Sequence, residues 1–314
     1  MDRILIVGTG VIGTIYGWSL ADAGADVTHL VRPGAVPDGD GLRMDVLDER
    51  KGHPDNPVTT YRAQIVDEPP AEGPDLVVVP TSTWDASAAI EPLAPRYPDA
   101  TFLILSSNWE GAAAFDAVLP RERYLLGYPD GGGTIRDGLY WTNLGAEIHL
   151  GEVDGSRTEK LEGVVALFER ADMTPDVQAN ILHWLWVHNA STIGFSAGFA
   201  KHLDMRATLD DKPLLRRCFD ATKELLSLCE ARGVNLKDYR DVSYLRWPSG
   251  ILGVMMRVMY KRNRSMQRYT AHASSPGAMR EARLNYDAML RTAEELDHPM
   301  PVLTSLGAYF PDEP

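Results

Sequence analysis

The chain has 314 residues, of which 44% are hydrophobic and 24% charged, and its formal net charge at pH 7 is -13. A negative balance of this size disfavours a general affinity for nucleic acid or anionic lipid, because a phosphate-binding surface needs a cationic field. No apolar run is long enough to span a bilayer, and the length exceeds what one small domain needs, so we expect a non-membrane protein of two domains.

Short β-branched runs alternate with helical segments through the first half of the chain. This alternation is typical of a doubly wound, mostly parallel sheet with helices on both faces, the Rossmann type of α/β domain. The predicted strands are 3–7, 26–31, 75–79, 101–105 and 124–127, the predicted helices are 11–23, 84–93 and 111–119, and the predicted surface loops are 33–41 and 68–74.

After Gly133 the pattern changes to short strands, the last of them predicted at 147–151, and a helix over 158–171 follows. Apolar residues at helical spacing then predict helices at 177–200, 213–232, 251–260 and 278–296. We therefore predict a Rossmann domain over 1–172 and an all-helical domain for substrate and dimerisation over 173–314. Apolar helical faces in the second half would permit a homodimer.

The two cysteines of the chain, Cys218 and Cys229, lie in one predicted helix. Their spacing fits one helical face rather than a metal-ligand or redox pair, so we expect reduced packing residues and no metal. Reduced thiols, together with the lack of a secretory signal pattern in the first residues, predict a cytoplasmic location.

A glycine-rich turn links the first predicted strand to the first predicted helix. Its six residues, which match G-x-G-x-x-G, are Gly8, Thr9, Gly10, Val11, Ile12 and Gly13. The first glycine permits a tight turn, the second lets the backbone approach a pyrophosphate, and the third lets the helix pack on the strand. The motif predicts a dinucleotide site on the helix N-terminus; the alternative is an ordinary glycine-rich turn between strand and helix.

The end of the second predicted strand indicates which dinucleotide binds. NAD-specific folds usually carry an acidic residue there to hold the ribose hydroxyls, but this chain has Arg32. A guanidinium can pair bidentately with a 2′-phosphate. Arg32 therefore favours NADPH over NADH, and the alternative is a solvated surface arginine.

These and later motifs resemble the ketopantoate reductase family along nearly the whole chain. In the first half the similar segments are residues 4–32, the turn 107–111 with Asn108, and residues 147–155. In the second half, residues 184–189 resemble the start of the family's long active-site helix. Ser265 and Met266 match a Ser-Met pair, and Glu281 precedes Pro301 by the spacing between the family's active-site glutamate and a closing proline.

The resemblance implies a role for each matching position. Asn108 would contact the cofactor or the substrate near the nicotinamide, and Glu281 would contact polar groups of either. Asn189 and Ser265 would bind substrate oxygens, and Gly133 would lie beside the cofactor after the sixth strand. The alternatives are a turn asparagine for Asn108, a solvated first-turn helix charge for Glu281, a satisfied polar group within the helices for Asn189, and a helix cap for Ser265.

The sequence departs from the family at two lysine positions. Leu185 stands where the family has its principal catalytic lysine, four residues before Asn189, and Ser82 stands where a second lysine follows the fourth strand. A proton donor for a developing alkoxide contributes roughly 10²- to 10⁴-fold in rate. The nearest replacements are His183 and His188, and the alternative is a packed core helix with satisfied histidines.

The reaction expected is reversible hydride transfer between NADPH and a carbonyl or imine carbon, in the cleft between the two domains. Ketopantoate is the family's default substrate, and the dense aromatic residues around 184–187 favour one that is less polar or bulkier. The cationic run 261–264 could hold an anionic substrate group or be a solvated face. A non-catalytic NADP-binding sensor is the alternative function, and a β-hydroxyacid dehydrogenase is a weaker one.

Overall fold

The computed structural model describes residues 1–53 and 58–310. The chain divides into two compact units. The first unit comprises Met1–Ser106 and Gly111–Ile181, and the second comprises Ser107–Glu110 and the described residues from Leu182 onward. Residues 173–181, beyond the predicted boundary, thus lie in the first unit.

The first unit is built on one sheet, to which ten strands belong within the described ranges. The strands are β1 (Arg3–Val7), β2 (Asp26–Leu30), β3 (Leu42–Asp48), β4 (Thr59–Tyr61), β5 (Gln64–Val66), β6 (Leu76–Val79), β7 (Thr101–Leu105), β8 (Tyr124–Arg136), β9 (Leu139–Gly151) and β10 (Thr174–Val177). Their order is β4-β3-β9-β8-β7-β6-β1-β2-β5, with β10 paired to β9. Pairing is parallel except for β8 with β9 and β3 with β4, which confirms the mostly parallel sheet.

Helices complete both units. In the first unit they are α1 (Val11–Asp22), α2 (Thr83–Ile90), α3 (Ala113–Asp116) and α4 (Glu159–Arg170). The chain then continues through α5 (Ile181–Phe199), α6 (Met205–Asp210), α7 (Lys212–Ala231), α8 (Ser249–Arg262), α9 (Arg264–Tyr269), α10 (Pro276–Glu295) and α11 (Pro301–Leu306). Short 3₁₀ turns occupy Arg121–Arg123, Leu236–Asp238, Arg240–Arg246, Thr270–His272 and Gly307–Tyr309. In the second unit the described residues form helices and loops, as predicted.

The central strands follow directly from the sequence. Ile4, Leu5 and Ile6 of β1 are all buried, because β1 pairs with β2 on one side and β6 on the other and helices cover a parallel sheet on both faces. Between residues 3 and 105, the observed β1, β2, β6 and β7 match the predicted strands to within a residue at either end.

Several predicted elements differ from the structure. The strands β3, β4 and β5 were not predicted, and the predicted helix 111–119 is only the four residues of α3. The predicted strands 124–127 and 147–151 are parts of β8 and β9, which have 13 residues each. A further strand, β10, follows the predicted last one and contains Pro175, which is tolerated because β10 pairs only with β9 within the described residues.

Cys218 and Cys229 are unpaired, buried thiols of α7. Burial raises the pKa of each thiol to about 12, so neither is a reactive thiolate. Separately, no helix in the described ranges combines the length and apolarity needed to cross a membrane.

Candidate functional site

The three glycines of the first turn have different environments. Gly8 follows β1 with φ +89°, a conformation that favours glycine. Gly10 caps α1 with φ -65°, and a Cβ placed on it would meet no atom within 4 Å. A Cβ on Gly13 would lie 3.1 Å from the Gly8 carbonyl oxygen and 3.2 Å from a methyl group of Ile6. Gly8 therefore permits the turn, Gly10 leaves open space beside the backbone, and Gly13 lets the helix pack closely on the strand.

The carbonyl groups of this turn are held by the first unit itself. His29 Nδ1 lies 2.9 Å from the Gly8 oxygen, and Tyr140 donates its hydroxyl to the Thr9 oxygen at 2.7 Å. Thr14 donates its hydroxyl to Thr9 and its backbone N–H to the Gly10 oxygen. The amides of the first helical turn have no intrahelical acceptor, so the turn offers N–H groups and the positive end of the helix dipole to an anion.

His29 supports the glycine turn through its contact with Gly8, a role that no sequence motif indicates. It is buried between the Gly8 carbonyl and the Tyr61 hydroxyl, which lies 3.2 Å from Nε2. Because a carbonyl oxygen only accepts, Nδ1 carries the proton, and the hydroxyl of Tyr61 donates to Nε2. Burial lowers the pKa of His29 below its ordinary value of 6.5, which keeps the ring neutral. A Cβ on Gly17 would lie 2.5 Å from Nε2, so the glycine makes room for the ring.

Arg32 lies at the same edge of the sheet as the glycine turn. The parallel pairing of β1 with β2 sets Val7 opposite Leu30, and Gly8 donates its N–H to the Leu30 oxygen at 2.7 Å. Arg32 follows two residues after Leu30 and is exposed. The position suits a residue that contacts the ribose end of a dinucleotide seated on α1.

Polar groups also follow β6 and β7 at this edge. Ser82 caps α2, and its hydroxyl accepts the N–H of Trp84 at 3.4 Å. Three polar atoms in the segments that follow these strands are buried and find no hydrogen-bond partner among the described residues: Thr81 Oγ1, Trp84 Nε1 and Ser106 Oγ. Buried polar groups are normally satisfied, so these donors mark a place for a ligand or water. Thr81, Trp84 and Ser106 were not predicted, since a lone hydroxyl or indole carries no sequence motif.

Gly133 lies inside β8 rather than after a strand, opposite Thr142 of β9. Its φ is +143°, and a Cβ there would collide with the carbonyl oxygen of Trp141. Close pairing of β8 with β9 therefore explains this glycine. The prediction that Gly133 follows the sixth strand is wrong, because the residue lies within β8, and its position beside a cofactor stays a prediction.

In the second unit, a polar chain connects the turn 107–110 with α10. Asn285 donates its Nδ2 group to Ser107 Oγ at 3.4 Å, and Ser107 donates its hydroxyl to Glu281 Oε1 at 3.0 Å. Asn285 Oδ1 is buried and has no partner among the residues described. Asn108, next to Ser107, is 1% exposed. Asn285 and Ser107 were not predicted, and they orient the predicted Glu281.

The alternative interpretation of Glu281, a solvated charge in the first turn of a helix, does not agree with its position in the structure. Ser275 caps α10, and its hydroxyl accepts the N–H of Ala278. Glu281 is the sixth residue of the helix and is only partly exposed. It therefore lies beyond the first turn, where the helix dipole contributes little.

The predicted substrate residues on α5 and α9 are buried. Asn189 is 2% exposed, and its Nδ2 group has no acceptor within the described part of the chain. Leu185, one turn earlier on α5, is also buried. Ser265 is buried in the first turn of α9, but the cap of that helix is Asn263, whose Oδ1 accepts the N–H of Met266 at 2.8 Å. The helix-cap alternative for Ser265 is therefore wrong.

The two predicted histidines of α5 lie against indole rings. His183 lies over Trp186 with ring centroids 5.2 Å apart, and His188 stacks on Trp184 at the same separation. Burial, and to a lesser degree the positive charge of Arg232, lower the pKa of His183. A neutral His183 at pH 7 is a weak proton donor.

The cationic run 261–264 is exposed where α8 meets α9. Lys261 lines a pocket of about 330 Å³ together with Arg206 and Arg257. Asp210 also lines this pocket, so its charge is mixed. This arrangement fits the solvated-face alternative as well as an anion site.

Comparison with known proteins supplies independent information. Residues 4–155 match the sequence model of a family described as "Ketopantoate reductase PanE/ApbA". A "2-dehydropantoate 2-reductase" of Pyrococcus horikoshii is 25% identical over 247 residues, 74% of this chain and 75% of the relative. The corresponding protein of Pyrococcus abyssi is 24% identical over 194 residues, and the match spans only 59% of its length.

Solved structures share the fold over nearly the full length. The crystal structure of a 2-dehydropantoate 2-reductase from Geobacter metallireducens superposes with a TM-score of 0.75 at 20% identity, covering 98% of both chains. At this level of identity the likeness extends to the fold, and the chemistry has to be argued from the residues.

Proposed function

The chain belongs to the ketopantoate reductase PanE/ApbA family, and on that premise we propose that it is an NADPH-dependent oxidoreductase acting on the carbonyl group of a 2-keto acid. The observation that carries the proposal is the glycine turn before α1. Its carbonyls are held by His29, Tyr140 and Thr14. The N–H groups of the first turn of α1 have no intrahelical acceptor and can bind a diphosphate. NADPH bound there would supply the hydride.

Arg32 supports NADPH over NADH. It is exposed at the end of β2, and its guanidinium can hold a 2′-phosphate by two parallel hydrogen bonds. We expect Arg32→Ala to raise the Michaelis constant for NADPH by roughly tenfold or more, as expected for a lost charge-assisted pair, and to leave that for NADH unchanged. Steady-state kinetics with both cofactors measure this, and Arg240→Ala, another exposed arginine, is the matched control. An unchanged NADPH constant would contradict the cofactor assignment.

The second unit supplies polar groups for a carbonyl substrate. Glu281 is oriented by Ser107, Asn108 adjoins Ser107, and Asn189 carries an unsatisfied amide group among the described residues. These groups can bind or orient the oxygens of a 2-keto acid. Position 185 carries a buried leucine, which cannot donate a proton, so 2-dehydropantoate is one candidate substrate among other 2-keto acids, including less polar or bulkier ones.

Leu185 also favours a second function, a non-catalytic sensor of NADP. NADPH oxidation, followed spectrophotometrically across a panel of 2-keto acids, ketones and imines, separates the two functions. The enzyme oxidises NADPH with at least one member of the panel. A sensor binds NADPH saturably in a fluorescence titration at low salt and oxidises none of it. Failure to bind NADPH at all would contradict both.

We also propose that the chain forms a homodimer. An exposed apolar stripe on and before α8 supports this. Its members, each 41–54% exposed, are Trp247, Ile251, Val254, Val258 and Met259.

A further inference from the structure

Arg232 directly follows α7, and its side chain lies against two tryptophan rings. Its guanidinium carbon lies 3.5 Å from the ring centroid of Trp186 and 4.4 Å from that of Trp109. Its Nη1 group donates to the backbone oxygen of Trp109 at 3.1 Å. Two ring contacts and one hydrogen bond therefore fix the side chain.

Within the described ranges no carboxylate forms a salt bridge with Arg232, and the charge of Glu295 acts on it only from a longer distance. Among the described residues, no Asp or Glu oxygen lies within 4.0 Å of its nitrogens. Burial lowers the pKa of Arg232 to about 10, so the group is still a cation at neutral pH. Moving a cation out of water without an adjacent counter-ion is costly in general, and stacking on indoles offsets part of that cost. The guanidinium is held in place and still partly exposed, so it can accept an anion.

The position of Arg232 connects it with the proposed substrate residues. Trp109 directly follows Asn108, and Trp186 directly follows Leu185, the position at which the resemblance to the family leads us to expect a lysine. Asn189, with its unsatisfied amide within the described chain, lies three residues further along α5. The guanidinium of Arg232 thus lies beside the segment of α5 in which the expected lysine is missing.

The ring contacts restrict the kind of anion that fits. Indole rings against a guanidinium leave hydrogen bonding to the edges of its plane. A carboxylate is planar and accepts two parallel N–H bonds from such an edge. Because Trp109 occupies one N–H of Nη1, the other donors of the group remain for this pairing.

We infer that Arg232 binds the carboxylate of the substrate, and that it supplies the positive charge missing at position 185. The inference rests on the proposed function for the identity of the substrate. The anion site itself rests on the contacts of Trp109 and Trp186 with Arg232.

The first test is oxalate binding by the full-length protein, followed by tryptophan fluorescence. We expect saturable binding to the wild type and affinity weakened by roughly 10- to 100-fold in Arg232→Gln, the range for a lost charge-assisted pair. Arg232→Lys keeps the charge without the planar fork and should be intermediate. Arg216→Gln, a change of an exposed arginine within α7, should match the wild type. Thermal melts identify a variant that fails to fold, in which case Arg232→Lys alone decides.

The second test compares a 2-keto acid that the enzyme reduces with its methyl ester. Arg232→Gln should lower kcat/KM for the acid by roughly 10- to 100-fold and change that for the ester little. Equal losses on acid and ester, or unchanged oxalate affinity, would overturn the inference while leaving the proposed function intact. Oxalate binding that depends on Arg232, without any NADPH oxidation, would contradict the proposed function and support the anion site.

Discussion

At the scale of single residues, substitutions at Gly10 and Gly13 distinguish an effect on cofactor binding from an effect on folding. A methyl group at Gly10 meets no protein atom within 4 Å and suits the observed φ of -65°. It would occupy the space that a diphosphate needs above the amides. We expect Gly10→Ala to weaken NADPH binding by roughly tenfold or more, which is about 1.4 kcal/mol, with an unchanged melting temperature. Fluorescence titration and thermal melting measure the two effects.

A matched control and the reverse case sharpen this prediction. Gly277→Ala also adds a methyl group in open space near a helix N-terminus and should change neither property. Gly13→Ala should lower the melting temperature, because its Cβ would crowd the Gly8 oxygen and Ile6. Normal NADPH affinity in Gly10→Ala would show that no diphosphate approaches this turn.

Ser107 and Glu281 allow a second prediction at the same scale. Ser107 donates its hydroxyl to Glu281 and so acts as a positioning residue, whereas Glu281 is proposed to contact the substrate or cofactor. We expect Ser107→Ala to lower kcat by less than tenfold and Glu281→Gln to lower it by roughly 10²-fold or more. Steady-state kinetics with separate kcat and KM values test this order. A larger effect from Ser107→Ala than from Glu281→Gln would contradict the assigned roles.

At the scale of elements, the buried ring of His29 joins three parts of the first unit. It lies on β2, supports the turn before α1 through Gly8, and meets Tyr61 of β4. The pKa of His29 is lower in the fold than its ordinary value of 6.5. Below that value the unfolded chain binds a proton that the folded ring does not, so the free energy of unfolding falls as pH decreases.

Urea unfolding at pH 7.0 and 5.5 tests this linkage. The wild type should be less stable at pH 5.5, and His29→Asn, which keeps a donor for the Gly8 oxygen, should show a smaller difference between the two pH values. The same pH dependence in wild type and variant would mean that His29 does not titrate in this way.

The paired strands β8 and β9 show why element boundaries were missed. Gly131 and Gly133 have positive φ and resemble turn residues in sequence, but both lie within β8. Their hydrogen atoms face backbone oxygens of β9 that a Cβ would strike. A pattern of glycines does not distinguish a turn from two backbones in close contact.

At the scale of the whole molecule, the exposed apolar stripe of α8 predicts the state of assembly. Val254 and Val258 are 53% and 46% exposed and four residues apart, on one helical face. We expect a dimer by light scattering at micromolar concentration and a monomer for the double variant Val254→Glu/Val258→Glu, because charges in an apolar interface are costly. The control is Lys237→Glu, an exposed change outside the stripe. A monomeric wild type would contradict the prediction.

The local features of this protein follow from short stretches of its amino-acid sequence. Alternating apolar runs specified β1, β2, β6 and β7, and the motif from Gly8 to Gly13 specified the turn that α1 follows. Each of these signals is contained in a short window, where side-chain periodicity and backbone preference act directly. The mainly helical second half followed for the same reason.

Contacts between residues that are distant in the chain depend on the packing of the whole fold. Ser107 and Glu281 are 174 positions apart, His29 lies beneath the Gly8 carbonyl, and Arg232 packs between Trp109 and Trp186. Such contacts depend on the order in which strands and helices pack, and no local pattern encodes that order. A serine, a histidine or an arginine acquires its role only when folding removes water and fixes its neighbours.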